Sequence, residues 1–198
     1  AEQNGYISSP VYSSISGTVT EISDMLLSNG KTAPIITIES DGEMSVDESI
    51  SVPVVNSKED LIAAIKKSGI VGLGGAGFPT YVKFDTDKPI NELIINGAEC
   101  EPYITSDSVT IVDRIDDIVY AIDILTKYVK IDKIIFGIEK NKQAAVNAIK
   151  TAFKNRPNVE IKTLPTLYPQ GAEKQLIYAI TGREVPSGGL PSAVGCAV

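Results

Sequence analysis

Short β-branched runs separated by turn signals fill the first quarter of the chain. The clearest turn signals are Asn29-Gly30 and Asp41-Gly42, because both dipeptides accept positive φ. The pattern predicts a small β-rich unit over residues 1–55 and no long helix there. Four strands are predicted in it, at residues 6–11, 17–22, 34–39 and 51–55.

From residue 56 onward, the spacing of the apolar positions changes, and strands alternate with helices. Ser57 to Asp60 resembles a capping box, and a helical apolar stripe then continues as far as Gly69. The further elements are strands at 93–95, 134–138 and 159–163 and helices over 115–125, 142–154 and 171–181. This alternation predicts a parallel sheet with helices on both faces over residues 56–185. Residues 186–198 are expected to begin a following domain that the chain does not complete.

The composition excludes several kinds of site and partner. The 198 residues contain no histidine, which excludes Ser-His-Asp and Cys-His catalysis and zinc sites that need imidazole. Two cysteines are too few for an iron–sulfur cluster within the chain or for a disulfide scaffold. The net charge of −7 argues against a nucleic-acid partner. No apolar run approaches the roughly 18 residues of a transmembrane helix.

A glycine-rich loop follows the first predicted helix. Gly72, Gly74 and Gly77 match the pattern G-x-G-x-x-G, and Gly75 adds a fourth glycine. Glycines let a backbone approach a phosphate closely and point its N–H groups at the anion. The loop does not follow a predicted strand, however, as the dinucleotide-binding fingerprint does. The pattern therefore leaves phosphate or nucleotide binding and an ordinary tight loop as alternatives.

Two further segments carry polar side chains at the ends of predicted elements. Asn96, Glu99 and Glu101 follow a buried strand, at the edge where parallel sheets bind ligands. The two acids are therefore either site residues or solvated loop residues, and Cys100 between them is a poor nucleophile candidate. The second segment, Tyr168 to Lys174, precedes a helix. Its residues alone favour a plain helix start with an acid in the first turn.

Taken together, three segments resemble one family. The strings GIVGLGGAGFPTYVKF, ELIINGAECEPYITSD and YPQGAEKQLIYAITGREVPSGG are similar to RnfC, a subunit of the Rnf electron transport complex, which is an ion-translocating ferredoxin:NAD oxidoreductase. They are more distantly similar to the NADH-binding flavoprotein subunit of respiratory complex I. The resemblance covers essentially the whole chain. It implies an α/β flavin domain preceded by a small lipoyl-like β sandwich.

The resemblance also implies ligands and residue roles. FMN and NADH would exchange hydride, and no catalytic acid or base is needed because the cofactors carry the reactivity. The loop of Gly72, Gly74, Gly75 and Gly77 would hold FMN, Phe78 would help stack the NADH adenine, and Lys83 would contact the flavin. Asn96, Glu99 and Glu101 would line the flavin and nicotinamide side, and Tyr168, Gly171 and Glu173 would close the pocket opposite them.

Other implications concern what lies outside the chain. [4Fe–4S] clusters are expected only in a following segment, with ferredoxin as an indirect partner. Other subunits of the membrane complex would hold the protein peripherally at the cytoplasmic face of the membrane. Ala98 and Ala172 stand where the complex I pattern has acids, which favours the Rnf family. The alternatives are a soluble cobalamin reductase, a proline reductase-associated NADH oxidoreductase, and a redox-silent docking module.

Overall fold

Two separate sheets organise the chain. The computed structural model describes residues 1–73 and 77–198, and in them a two-stranded antiparallel sheet precedes a four-stranded parallel sheet. The strands are β1 (Gly17–Leu26), β2 (Thr32–Ser40), β3 (Glu92–Gly97), β4 (Lys133–Glu139), β5 (Val159–Leu164) and β6 (Cys196–Ala197). The helices are α1 (Lys58–Lys67), α2 (Thr80–Phe84), α3 (Ser106–Asp113), α4 (Ile115–Tyr128), α5 (Gln143–Ala152) and α6 (Glu173–Thr181). The parallel sheet has the order β5-β4-β3-β6.

β1 and β2 form a hairpin around the predicted Asn29-Gly30 turn. Gly30 has φ +77°, and its N–H donates to the carbonyl of Leu27 at 2.9 Å. The pairing shifts register between Val19 and Glu21, which marks a bulge. Both strands are longer than the sequence pattern predicted.

The strands predicted at residues 6–11 and 51–55 are wrong. Tyr6 instead packs edge-on against Tyr81, with ring centroids 5.9 Å apart, and its hydroxyl donates to the Asp85 carboxylate at 3.0 Å. These contacts fix the first segment against α2 rather than against another strand. In the second segment, Val52 and Val54 are 90% and 80% exposed, and Pro53 between them has no N–H to donate to a ladder.

Helices cover both faces of the parallel sheet, as the alternating pattern predicted. On one face, Leu93 of β3 and Ile134 of β4 belong to a core that includes buried residues of α1, α3, α4 and α5. On the other face, Ile94 and Ile135 pack with Leu176 and Ile177 of α6. Successive residues of a strand point to opposite faces, so the continuous apolar runs in β3 and β4 serve both cores.

Helix α1 begins as its capping signal predicted. The Ser57 side chain accepts a hydrogen bond from the Asp60 N–H at 3.1 Å, and the Asp60 carboxylate accepts one from the Asn56 N–H at 3.0 Å. This reciprocal arrangement satisfies N–H groups at the helix start that have no intrahelical acceptor.

Three elements were not predicted, namely α2, α3 and β6. β6 is only two residues long, and it pairs with β3 where Cys196 lies opposite Glu92. A 3₁₀ turn at Pro191–Val194 leads into it. Arg183 forms an ion pair with Glu92 and donates to the Val194 carbonyl at 2.8 Å, which anchors this end of the chain to the sheet. None of the described helices is both long and apolar enough to cross a bilayer.

Candidate functional site

A cavity of about 600 Å³ borders the carboxyl end of β3 and the start of α6. This volume falls within the roughly 300–1,000 Å³ that is typical of small-molecule and cofactor sites. Eight of the predicted site residues line it, from all three of the sequence segments: Gly72, Phe78, Lys83, Asn96, Glu101, Tyr168, Gly171 and Glu173. Gly77 and Glu99 are not among the lining residues, and Gly74 and Gly75 lie outside the described residues.

The first wall is the end of β3 together with the segment that follows it. The Asn96 side chain accepts a hydrogen bond from the Ala98 N–H at 3.1 Å, and the Ala98 carbonyl accepts one from the Cys100 N–H at 3.0 Å. These contacts turn the chain sharply at the strand end, so that Asn96, Cys100 and Glu101 all face the cavity.

Glu99 points away from the cavity into the protein. Its side chain is fully buried and accepts hydrogen bonds from the Lys142 ammonium at 2.6 Å, the Asp107 N–H at 2.7 Å and the Ser108 hydroxyl at 3.0 Å. Burial alone would raise the pKa of Glu99, but the hydrogen bonds from Lys142, Asp107 and Ser108 outweigh it and lower that pKa. Glu99 therefore ties the wall to α3 and α5.

The opposite wall is the segment before α6. Tyr168, Pro169 and Gly171 line the cavity here, followed by Ala172 and by Glu173 at the first position of the helix. The Gly171 carbonyl accepts a hydrogen bond from the Asn96 side chain at 2.9 Å. A Cβ at Gly171 would overlap the Ala98 carbonyl oxygen, so only glycine allows this close approach.

Lys83 is the one cation among the described lining residues. Its ammonium donates to the Val198 carbonyl at 2.5 Å. Burial lowers the pKa of Lys83, and the negative charge of Glu173 acts in the opposite direction. The side chain therefore stands in a partly desolvated position, where a bound anion would favour its charged form.

Three acids line the same cavity, which gives it both charge signs. They are Glu101, Asp107 and Glu173. Burial raises the pKa of Asp107, and the nearby charge of Glu99 raises it further. Ionised carboxylates accept hydrogen bonds and donate none, so this part of the cavity suits a ligand that is rich in hydroxyl or N–H donors.

Several lining residues were missed by sequence reasoning. Asp107 was missed because α3 was not predicted. Once that helix is known, an acid in its first turn, soon after a strand, is expected near the ligand-binding edge of the sheet. The sequence gives no sign that Cys100 lines the cavity, since two flanking acids make it only a poor nucleophile candidate. The wall formed by residues 190–192 and 196–198 gave no local signal, because its position depends on pairing with β3, about a hundred residues earlier.

Comparison with known families gives two matches along the chain. Residues 65–198 match the family described as the Nuo51 FMN-binding domain. Residues 1–43 match the RnfC barrel sandwich hybrid domain. The second match agrees with the small β sandwich that the resemblance implied before the α/β domain.

Curated relatives are longer than this chain. The chain is 44% identical to the C component of the Na(+)-translocating ferredoxin:NAD(+) oxidoreductase complex of Acetobacterium woodii, over 100% of this chain and 46% of the relative. It is 42% identical to the proton-translocating counterpart of Clostridium ljungdahlii, over 100% of this chain and 44% of the relative. These matches confirm the resemblance to RnfC, and the chain spans less than half the length of either relative.

A solved structure shares the fold. A chain of the NAD+-reducing [NiFe]-hydrogenase in the H2-reduced state superposes with a TM-score of 0.55 and 24% sequence identity. The match covers 71% of this chain and 28% of that one. At this identity the similarity supports the α/β architecture alone.

Proposed function

This chain belongs to the family of Nuo51 FMN-binding domains, and from that membership we propose that its cavity binds FMN and NADH. The observation that carries the proposal is that three segments far apart in the sequence meet around one cavity. The glycine segment contributes Gly72, the strand end contributes Asn96, and the segment before α6 contributes Gly171.

The chemistry of the lining residues suits a flavin mononucleotide. The carboxylates of Glu101, Asp107 and Glu173 line the cavity and would accept hydrogen bonds from the hydroxyl and N–H groups of a bound flavin nucleotide. Val82 and Leu190 offer apolar contact to a ring system, and Lys83 offers a cation for a phosphate. Together with the close approach at Gly171, these groups would hold the cofactor.

Bound FMN would supply the chemistry that links hydride transfer, to or from a nicotinamide, to single-electron transfer with other carriers. The protein's own residues would bind and orient the two nucleotides and exclude water. We infer that the complete polypeptide is the RnfC component of a membrane-bound, ion-translocating ferredoxin:NAD oxidoreductase. Its iron–sulfur clusters would lie outside this chain, and partner subunits would hold it at the cytoplasmic face of the membrane.

Titration of FMN with the full chain tests the proposal. Binding would quench flavin fluorescence, and anaerobic addition of NADH would then bleach the visible flavin absorbance. Saturable quenching without bleaching would support a flavin site but contradict hydride exchange with NADH in this chain. The absence of quenching would contradict the proposal and favour a redox-silent docking module.

A further inference from the structure

Both peptide groups of Gly171 are held by the end of β3 and the segment that follows it. The Gly171 N–H donates to the Cys100 sulfur at 3.2 Å, and the Gly171 carbonyl accepts from the Asn96 side-chain amide at 2.9 Å. The Ala98 carbonyl lies against the Cα of Gly171, where a side chain would otherwise stand. These contacts join residues that are 71 and 75 positions apart in the sequence.

This clamp connects the two walls of the cavity. Asn96 and Cys100 line one wall, and Gly171 lines the other, directly before the start of α6. The separation between the β3 end and the α6 start is therefore fixed at Gly171, where the two segments are in contact. Loss of these contacts would therefore change the spacing of the two cavity walls, while the hydrophobic core beside α6 would keep all its residues.

Among the described residues, the Cys100 sulfur is the one hydrogen-bond acceptor for the Gly171 N–H. The N–H groups of the two neighbours, Gln170 and Ala172, donate to the carbonyls of Leu167 and Pro169, whereas the Gly171 N–H has the Cys100 sulfur as its acceptor. Sulfur is a weak acceptor, but an amide N–H left without one is costly when it is shielded from water.

We propose that Cys100 is a positioning residue of the cavity, which holds the Gly171 N–H and so sets the spacing of the walls between which the flavin binds. The inference rests on the proposed function. It assigns the thiol no part in electron transfer or covalent catalysis. A group attached to the sulfur would displace the Gly171 N–H and open the clamp.

Two variants and two measurements test this role in the full chain. Cys100→Ala removes the acceptor, and Cys100→Ser replaces it with a hydroxyl oxygen. In Cys100→Ala we expect the Gly171 amide to exchange with solvent faster by NMR. We expect FMN to bind more weakly, by up to about tenfold, which is the limit set by the free energy of one hydrogen bond. Cys100→Ser should recover part of both losses. Amides of Leu176 and Ile177 should keep their protection, because the α6 core is untouched.

Three other outcomes would contradict the proposal, and a fourth would contradict the proposed function. Unchanged Gly171 exchange in Cys100→Ala would overturn the clamp, and equal FMN affinity in all three proteins would overturn its effect on the cavity. Loss of protection at Leu176 and Ile177 as well would assign Cys100 a general structural role and contradict the proposal. If the unsubstituted chain does not bind FMN, the proposed function fails, while the exchange measurement still decides whether the clamp exists.

Alkylation provides a further check with an internal control. Cys100 is half-buried in the cavity wall, whereas Cys196 is fully buried. Iodoacetamide should therefore modify Cys100 in the folded chain, and saturating FMN should slow the reaction. An alkylation rate at Cys100 that is the same with and without bound FMN would overturn the placement of this thiol at the flavin.

Discussion

At the scale of single residues, two buried carboxyl groups near the ends of β3 and β4 differ in their hydrogen bonding. Glu99 accepts hydrogen bonds from three donors, including Lys142. Glu139 is 1% exposed, and neither of its carboxyl oxygens has a hydrogen-bond partner in the described part of the chain. Burial raises the pKa of Glu139, an effect that Lys142 opposes and that Glu99 and Glu101 reinforce. The two acids should therefore affect stability with opposite dependence on pH.

Replacing Lys142 should destabilise the protein by leaving a buried charge on Glu99. We expect Lys142→Met to lower the free energy of unfolding at pH 7 by roughly 3 kcal/mol, as broken buried ion pairs do. Because the pKa of Glu99 is lowered in the folded state, its contribution is present above the ordinary glutamate pKa and is lost as the pH falls through the folded value. Urea unfolding of both proteins at pH 7 and pH 3 measures this.

The exposed neighbour provides the control. Lys140→Met removes the same charge two residues earlier, from a side chain that is exposed. It should change stability by less than about 0.5 kcal/mol. Equal losses in the two variants would show that the Glu99 ion pair has no special contribution.

Replacing Glu139 should have the opposite effect at neutral pH. Its raised folded pKa means that the folded state binds more protons than the unfolded state above the ordinary glutamate pKa, so stability falls as the pH rises through that range. Glu139→Gln removes this loss, and we expect the variant to be more stable than the unsubstituted chain at pH 7 but not at pH 4. Thermal unfolding across pH, with Glu184→Gln as an exposed control, measures the difference. A gain that does not depend on pH would contradict the assignment.

At the scale of elements, Gly137 allows β4 and α6 to pack closely. A Cβ at this position would lie 2.8 Å from Cδ1 of Ile180 and 2.9 Å from Cδ1 of Leu176. Gly137→Ala should therefore cost about 1–3 kcal/mol through overpacking. Adding Ile180→Val removes the nearest methyl and should recover part of the loss, which a double-mutant cycle from urea unfolding would measure. Strict additivity would exclude this contact as the cause.

The elements that sequence predicted are those whose signal is local. The Ser57 cap, the Asn29-Gly30 turn, the apolar runs of β3 and β4 and the alternating apolar and polar residues of β5 each depend on a few adjacent residues, and they were found. β6 and the burial of Glu99 depend on partners far along the chain, and they were not predicted. Helix α6 begins later than predicted because Gly171 is bound to the β3 end rather than to the helix.

At the scale of the whole molecule, the two ends of the hairpin formed by β1 and β2 lie side by side. The Asp41 N–H donates to the Ser16 carbonyl at 3.2 Å, and the Ser16 hydroxyl donates to the Asp41 carboxylate at 2.6 Å. We propose that the α/β part folds without the hairpin, while residues 1–16 retain their contacts with α1 and α2. Isolated two-stranded hairpins are at best marginally stable, so the hairpin is not expected to carry the stability of the rest.

Excision of residues 17–40, with Ser16 joined to Asp41, tests this division. We expect cooperative unfolding and FMN affinity to persist, with far-UV circular dichroism reduced only by the lost strands. Loss of cooperative unfolding would show that the hairpin is part of the same folding unit.

The place of β6 at the edge of the sheet has a consequence for synthesis on the ribosome. Residues 72 and 83 of the cavity emerge early, but Cys196 pairs with β3 across 104 positions of sequence. A nascent chain would therefore have the strand end and the first glycine beside an incomplete wall until residues 196–198 have left the ribosome. Capture of a ligand by the finished cavity has to follow the exit of residues 196–198, so cofactor binding would follow the synthesis of β6 and not that of β3.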